Sequence, residues 1–161
     1  MPALRSIALL ALVVLTSACS ALSPYSKITK LELSLSASDQ LNPDLDGRPS
    51  PIVVRLIELK SPVAFENADF FSLYDRSREA LAPDLVASEE IEMRPGETRE
   101  LKLTVNDGSR YVGVLAAYRD LPETRWRYVV TLAPVQLNRA DLRLDQTGIQ
   151  ALADASQAKG N

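Results

Sequence analysis

The most regular feature of the chain is a series of short segments in which apolar and polar residues alternate. Leu31, Leu33 and Leu35 are separated by single polar residues, and the same period of two returns at Leu101 and Leu103. Alternation of this kind is typical of strands that bury one face. Further strands are predicted at residues 52–59, 91–93, 111–118, 126–132 and 142–144. About seven short strands separated by turn residues predict an all-β fold, built as an antiparallel β-sandwich.

The second predicted strand, Ile52–Leu59, differs from the others because it is apolar at both odd and even positions. A strand with this pattern is covered on both faces. The residues that follow supply a cover, because Ser61-Pro62 and Asn67 are typical of helix starts and a further short helical piece is predicted near residues 83–87. We therefore predict a small helical insertion, at about residues 61–87, on the outside of one sheet.

Between the first two strands, residues 38–51 contain three prolines and one glycine, which predicts a long polar loop. Compact domains rarely keep a structureless loop longer than about 12–15 residues unless it has a use. Leu41 and Leu45 are the apolar side chains of the loop, and Pro43 and Pro49 stiffen it. The two leucines either dock a partner or fold back onto the sandwich. The candidate partner-binding residues are Gln40, Leu41, Asn42, Pro43, Asp44, Leu45, Asp46, Gly47 and Arg48.

The same loop resembles the first half of a calcium-binding loop. Asn42, Asp44 and Asp46 place oxygen donors at alternate positions, and Gly47 follows them. The second half does not fit, because Val53 stands where a bidentate glutamate is needed and a strand follows instead of a helix. Asx turns that shape the loop explain the same residues, so no metal and no cofactor are expected.

Two other pairs of residues are candidates for chemistry or packing. Glu89 and Glu90 are adjacent, and neighbouring residues of a strand point to opposite faces, so they do not make a catalytic pair by themselves. Arg119 and Trp126 flank a short connection between strands, where we expect a cation–π contact that stabilises a hairpin.

The first residues predict a targeting segment that is not part of the fold. An apolar run at residues 7–15 has the length of a signal peptide and is too short to span a bilayer as a helix. Residues 15–19, LTSAC, resemble a bacterial lipobox, although Thr16 stands where leucine is most common. The resemblance implies a signal peptide over residues 1–18 and lipid on Cys19. The alternative is a plain secretory signal that leaves a free thiol.

Composition narrows the class of function. The sequence has 46% hydrophobic and 24% charged residues, which is typical of one globular domain, and it contains no histidine. Histidine is the usual general base near neutral pH and the commonest metal ligand, so its absence disfavours most hydrolases and metalloenzymes. Without the signal segment, which contains Arg5, the chain has 17 basic and 21 acidic side chains. With this balance and no basic cluster, no nucleic acid partner is expected.

Several motifs, taken in order along the mature chain, resemble one family. They are the lipobox, RPSPIVVRLIEL at residues 48–59, Phe65 with Ala68-Asp69-Phe70-Phe71 and Leu73, Arg94-Pro95-Gly96, and Ala117-Tyr118-Arg119-Asp120 with Trp126-Arg127. Together they resemble the TssJ family, the outer-membrane lipoproteins of type VI secretion. The resemblance implies a transthyretin-like sandwich with an extra helical element, and no catalysis.

The resemblance also implies a partner and a location. In that family the loop between the first two strands docks onto the periplasmic C-terminal region of the inner-membrane protein TssM, within a complex that also contains TssL. On this sequence the loop is residues 38–51. Ser20 follows Cys19 where an aspartate typically retains lipoproteins at the inner membrane, which implies the outer membrane, facing the periplasm.

A competing function is a lipid-anchored periplasmic β-sandwich module that binds a small molecule or glycan, for which a concave pocket with converging polar groups is expected. In both cases the predicted layout is a signal peptide at residues 1–18, a lipidated N-terminus and tether at residues 19–27, the sandwich at residues 28–150 and a flexible tail at residues 151–161. The eight residues after Cys19 reach at most ~28 Å at about 3.5 Å per residue. The sandwich therefore stays close to the membrane that holds the lipid.

The lipid assignment predicts the behaviour of Cys19→Ser in the bacterium that makes this protein. The variant has no thiol to receive the lipid, so we expect to recover it from the soluble periplasmic fraction, whereas the wild-type chain fractionates with outer membranes. Cell fractionation with immunodetection measures the difference. A variant that still sediments with outer membranes contradicts the anchor.

Overall fold

The structure is a computed structural model, and it describes residues 28–152. The predicted signal peptide at residues 1–18, Cys19 with its tether to residue 27, and all but the first two residues of the predicted tail lie outside the described residues. Within the described part, none of the helices has both the length and the apolar character needed to cross a membrane.

Residues 28–152 form eight strands in two four-stranded sheets. The strands are β1 (Lys30–Ala37), β2 (Ile52–Leu59), β3 (Leu85–Met93), β4 (Thr98–Thr104), β5 (Tyr111–Ala116), β6 (Arg127–Thr131), β7 (Leu137–Asp145) and β8 (Gly148–Ala151). The order is β4-β1-β7-β8 in the first sheet and β3-β2-β5-β6 in the second. This architecture, with a few short helices, confirms the predicted β-sandwich.

Strand β1 lies inside the first sheet and pairs on both sides. It is antiparallel to β4 but parallel to β7, with Lys30 beside Leu137 and Ala37 beside Leu144. The β1–β7 pair therefore departs from the antiparallel pairing that the sequence predicts. The reason is topological: β6 ends at the end of the sandwich where β1 begins, so the short connection at residues 132–136 starts β7 in the same direction as β1.

The core between the sheets follows the alternation seen in the sequence. Leu31, Leu33 and Leu35 of β1 are fully buried, and they face Val54 and Val114 within one buried cluster that both sheets build. Burying a leucine side chain stabilises a fold by about 1.5–3 kcal/mol relative to leaving it in water. The polar residues between these leucines lie on the outer face, so a one-residue slip of β1 would expose all three.

Three short helices follow β2 and cover the outer face of the second sheet. They are α1 (Val63–Asn67), α2 (Phe70–Asp75) and α3 (Ser77–Ala80). A second, separate cluster of fully buried side chains lies beneath them and consists of Ile57, Leu59, Phe65, Leu73, Leu81 and Leu115. Strand β2 is therefore covered on both faces, which explains why it is apolar at both odd and even positions.

The helix bounds differ from the sequence prediction at two places. Helix α2 begins after Asp69, whose carboxylate accepts a hydrogen bond from the Ser72 N–H at 3.0 Å, rather than at Asn67. The helical piece predicted near residues 83–87 is wrong, because Leu85 opens β3. Pairing of β3 with β2 outweighs the weak local preference of this segment for helix.

Strand β8 has no signal in the sequence, because it is only four residues long and begins with glycine. It pairs with β7, and it also ties the two sheets together at one end of the sandwich. There the Arg125 N–H donates to the Thr147 carbonyl at 3.0 Å, and the Ile149 N–H donates to the Arg125 carbonyl at 2.8 Å. The connection at residues 117–126 is thereby fixed against the first sheet.

The first and last residues of β1 mark the two ends of the sandwich. We call the end where β1 starts, together with residues 132–136, the tether end. We call the opposite end, which contains residues 38–51, 117–126 and 145–148, the loop end. Eight residues of β1 at about 3.3 Å each separate the two ends by roughly 26 Å.

A substitution at Gly113 on β5 tests how closely the helices pack against the second sheet. A Cβ atom at this position would lie 2.9 Å from ring carbons of the fully buried Phe65. We expect Gly113→Ala to lower the free energy of unfolding by about 1–3 kcal/mol, because the ring must move within a packed cluster. Chemical denaturation of the domain measures this. Combining it with Phe65→Leu should cost less than the two single changes added together, and strict additivity would contradict the contact.

Candidate functional site

The candidate site is the loop at residues 38–51, whose base is fastened to the sandwich. The Ser38 N–H donates to the Leu144 carbonyl at 2.8 Å, which continues the first sheet by one more bond. Across the base, the Leu41 N–H donates to the Ser38 carbonyl at 3.1 Å and the Ser50 N–H donates to the Leu41 carbonyl at 3.0 Å. These bonds hold the two ends of the loop together, where the chain leaves the first sheet after β1 and enters the second sheet at β2.

Asn42 is a buried polar residue that joins three segments. It is 4% exposed and has a φ of +46°, a left-handed conformation that asparagine adopts more readily than most residues. Its Nδ2 donates to the Pro51 carbonyl at 3.0 Å, and its Oδ1 accepts from the Arg119 N–H at 2.9 Å. The side chain thus connects the loop to the start of β2 and to the connection at residues 117–126.

Asp44 shapes the tip of the loop. Its Oδ1 accepts hydrogen bonds from the backbone N–H groups of Asp46 and Arg48, both at 2.9 Å. The Asp44 N–H donates to the Arg48 carbonyl at 2.9 Å, and Gly47 takes a φ of +75° that glycine permits. This is the Asx turn that the sequence offers as the explanation of these residues.

The Arg48 guanidinium forms ion pairs with both aspartates of the loop tip. Its Nε lies 2.9 Å from an Asp44 oxygen, and its Nη2 lies 2.9 Å from an Asp46 oxygen. The hydrogen bond from the Arg48 backbone N–H, and then the one from its side chain, hold the pKa of the Asp44 carboxyl below its ordinary value of 3.8. Because exposed ion pairs stabilise little, the backbone hydrogen bonds to Asp44 are what define the tip.

The two leucines of the loop have opposite environments. Leu41 is 0% exposed and belongs to the core between the sheets, whereas Leu45 is completely exposed at the tip. Leu41 is therefore not available to a partner, which corrects its place among the candidate docking residues. The turn after Ser38 folds it back onto the sandwich, while the Asx turn at Asp44 holds Leu45 in solvent.

An open cavity of about 470 Å³ lies between the loop and its neighbours at the loop end. It is lined by Asn42, Pro43, Asp44, Leu45, Tyr118, Arg119, Asp120, Thr124 and Gln146. The fold therefore places the loop beside the connection at residues 117–126 and the turn at residues 145–148.

Three of the polar side chains around this cavity have partners within the chain. The Asn42 amide and the Asp44 carboxylate are engaged as described, and the Thr124 hydroxyl donates to the Asp120 carbonyl at 2.7 Å. Among the described residues, the buried Tyr118 hydroxyl has no hydrogen-bond partner, and burial, with the nearby Asp145 charge, raises the pKa of Tyr118. The side chains of Arg119, Asp120 and Gln146 also line the cavity and make no hydrogen bond among the described residues, so these polar groups remain available to a ligand or a partner.

The acidic residues of the chain do not assemble a metal or catalytic site in the described part. Within residues 28–152, no group of three or more histidine, cysteine, aspartate or glutamate side chains is arranged to hold a metal ion. Asp44 and Asp46 of the calcium-like motif both face Arg48. Glu90 pairs with Arg55 at 2.7 Å.

The predicted cation–π contact forms with a different arginine. The Arg127 guanidinium carbon lies 4.5 Å from the Trp126 ring centroid, whereas Arg119 lies at the cavity beside Asn42. Trp126 also packs edge to face against Phe70 of α2, with ring centroids 5.3 Å apart. The prediction of an Arg119–Trp126 pair is wrong because the connection between them turns Arg119 toward the loop.

Sequence reasoning missed the residues that complete the site from outside the loop: Arg119, Asp120, Thr124 and Gln146. Asn42 and Arg119, for example, are 77 residues apart in sequence. Their contact depends on how the two sheets pack, and no local pattern carries that information.

The fold and the site define a small β-sandwich with an exposed, internally hydrogen-bonded loop at one end. A family model described as type VI secretion lipoprotein, T6SS-SciN, with the names VasD, EvfM and TssJ, matches residues 29–147. The match spans more than half of the chain. The chain belongs to this family, the TssJ lipoproteins of type VI secretion.

Solved structures agree with the family assignment. The type VI secretion lipoprotein TssJ1 from Pseudomonas aeruginosa is 36% identical, with 78% of this chain and 95% of that chain covered and a TM-score of 0.75. Serratia marcescens Lip, described as a membrane-bound component of the type VI secretion system, is 27% identical, with 77% and 97% covered and a TM-score of 0.71. A chain of a structure described as a type VI membrane complex is 26% identical, with 78% and 98% covered and a TM-score of 0.68.

A chain of a further structure, described as the C-terminal domain of the type VI secretion protein TssM from EAEC, is 24% identical, with 78% and 98% covered and a TM-score of 0.66. At this identity the likeness shows the fold alone. No curated protein sequence is similar enough to match this chain.

The Asp44 hydrogen bonds predict a pH dependence of the loop tip. Because the folded pKa of Asp44 is lowered, its contribution to the order of the tip is present above the ordinary value of 3.8 and is lost as the pH falls through the folded pKa. In an NMR titration the Arg48 amide signal should therefore shift with a midpoint below 3.8. Asp44→Asn should abolish that transition, whereas Asp46→Asn should leave it in place. A transition that survives in Asp44→Asn contradicts the assignment.

Proposed function

We propose that this chain is a non-enzymatic outer-membrane lipoprotein that anchors the type VI secretion membrane complex. It faces the periplasm and docks the periplasmic C-terminal region of TssM through the loop at residues 38–51, within a complex that also contains TssL. The family assignment supports the secretion system, and the likeness to a chain of a type VI membrane complex supports partners of that kind.

The observation that carries the proposal is the exposure of Leu45 on a tip of fixed shape. Leu45 is fully exposed, and its complete burial against a partner would contribute about 1.5–3 kcal/mol. The Asp44 hydrogen bonds hold the tip in one conformation before binding. Ordering a flexible side chain at an interface costs about 0.5–1.5 kcal/mol, and a loop that is already ordered avoids much of this cost.

The surroundings of Leu45 fit the anatomy of a docking surface. Asp46 and Arg48 are largely exposed and give an apolar anchor a charged rim. Arg119 and Asp120 extend that rim across the cavity. Leu41 and Asn42 support the loop from below, and Gln40, Pro43, Asp44, Leu45, Asp46, Gly47 and Arg48 are proposed to meet the partner.

The anchor in this proposal is the lipid on Cys19. The lipobox-like residues 15–19 and the family description as a lipoprotein support it. Ser20, in place of the aspartate that typically retains lipoproteins at the inner membrane, supports the outer membrane.

The competing function, a lipid-anchored module for a small molecule or glycan, has one feature in its favour, namely the cavity of about 470 Å³ at the loop end. Asn42, Asp44 and Thr124 are already paired within the chain, whereas the side chains of Arg119, Asp120 and Gln146 make no hydrogen bond among the described residues. The family assignment and the exposed Leu45 at the tip favour protein docking over this alternative.

A binding titration with two matched leucine variants tests the proposal. The soluble chain from residue 20 to 161 is titrated with the periplasmic C-terminal region of the cognate TssM. Leu45→Ser should weaken binding at least tenfold, or about 1.4 kcal/mol, because it removes the exposed anchor. Leu137→Ser, which changes an exposed leucine at the tether end, should leave binding unchanged.

The outcomes separate the parts of the proposal. Equal binding by the wild-type chain and Leu45→Ser would remove the loop from the interface but keep the partner. No binding by the intact chain would overturn the partner and return the anchored ligand module to first place. Circular dichroism of both variants checks that the fold is intact.

A further inference from the structure

A second exposed apolar surface lies at the tether end, away from the docking loop. Among residues 28–152, three of the seven large apolar residues that are exposed, Ile28, Val135 and Leu137, surround the start of β1, with exposures of 47%, 48% and 46%. The connection that carries Val135 is fastened there, since the Lys30 N–H donates to the Gln136 carbonyl at 3.0 Å and Lys30 lies beside Leu137 in register. We call these three residues the tether-end patch.

Val135 is held in this patch by an unusual backbone conformation. Its φ of +59° lies in the left-handed region, which is rare for a β-branched residue and persists only where the surroundings impose it. The Val135 N–H donates to Thr29 Oγ1 at 2.9 Å. The Asn138 side chain braces the same connection by accepting from the Ala133 N–H at 2.7 Å and donating to the Ala133 carbonyl at 3.0 Å. The fold thus uses several hydrogen bonds to hold an apolar side chain in solvent.

The two segments that carry the patch, residues 28–30 and 133–137, contain Lys30 and no acidic residue. The adjoining turn, whose Val105 N–H donates to the Thr29 carbonyl at 3.0 Å, carries Asp107, and its Asn106 binds Glu58. The acidic groups at this end therefore lie on the far side of Thr29 from Val135. Apolar side chains with a lysine at their rim are typical of protein surfaces that enter the membrane interface, because the lysine amine stays at headgroup level while its stem lies on apolar surface.

The position of the patch in the chain points to the same occupant. Ile28 follows Cys19 by nine residues, which span at most about 32 Å when fully extended at 3.3–3.6 Å per residue. A lipid on Cys19 therefore keeps the tether end near the bilayer. Strand β1 then leads away from the membrane, and the docking loop lies at its other end.

We propose that the tether-end patch rests on the lipid surface that holds the Cys19 anchor and so orients the sandwich with its loop end toward the periplasm. This inference rests on the lipid anchor of the proposed function. Three half-exposed side chains bind a bilayer weakly when free. The anchor supplies a high local concentration of lipid, so a weak contact is enough to set the orientation.

Site-directed spin labelling of the mature lipoprotein tests the inference. Lipidation converts the sulfur of Cys19, the single cysteine of the sequence, into a thioether, so an introduced cysteine is the one free thiol. Leu137→Cys carries the label at the patch and Leu45→Cys carries it at the loop end as the matched control. Both proteins are reconstituted into phosphatidylethanolamine–phosphatidylglycerol vesicles and probed with oxygen, which enters lipid, and a nickel chelate, which stays in water.

We expect the label at position 137 to be more accessible to oxygen than to the nickel chelate, and the label at position 45 to show the reverse. Equal ratios at the two positions overturn the patch while leaving the anchor intact. Shielding of position 137 from both reagents also overturns it, because protein rather than lipid then covers the surface. A wild-type chain that does not float with the vesicles overturns the lipid anchor and the patch together.

A polar variant separates a lipid contact from a merely structural role. With the label placed by Ile28→Cys, we expect Val135→Asn combined with Leu137→Ser to move the label toward the water-soluble reagent. Asparagine tolerates the left-handed conformation at position 135, so the melting temperature should not fall. Unchanged accessibility of the label in this variant contradicts the proposal.

Discussion

Strand β1 is the constraint on which the rest of the molecule depends. Its buried leucines fill the core, its two edges pair with β4 and β7, and its two ends carry the tether and the loop. A shift of register by one residue would turn Leu31, Leu33 and Leu35 outward and displace both ends at once.

Two side chains, Asn42 and Asp44, hold the loop at the far end of β1 through hydrogen bonds. Asn42 fixes the base by joining segments that are distant in sequence, and Asp44 fixes the tip through backbone hydrogen bonds. Leu45 remains exposed at the tip, beside the polar side chains that line the cavity. In the proposed function, this loop contacts its partner through its fixed shape and the apolar area of Leu45.

The sequence predicts the parts of this structure that depend on local pattern. The alternation in β1, the two covered faces of β2 and the Asx turn at Asp44 all follow from neighbouring residues. The parallel pairing of β1 with β7, the contact of Asn42 with Arg119 and the opposite environments of the two loop leucines do not, because each depends on the path of the chain between the sheets. The misplaced helix near residues 83–87 has the same cause, since pairing with β2 decides its conformation.

The most direct test of the central claim is hydrogen exchange of the lipidated chain in vesicles, with and without the periplasmic C-terminal region of the cognate TssM. Exchange reports which backbone amides a partner covers, without any substitution. We expect added protection at residues 43–48 and at residues 117–126, with none at residues 133–137. Protection at the tether end or over the helical cover, with the loop exchanging as before, would contradict it.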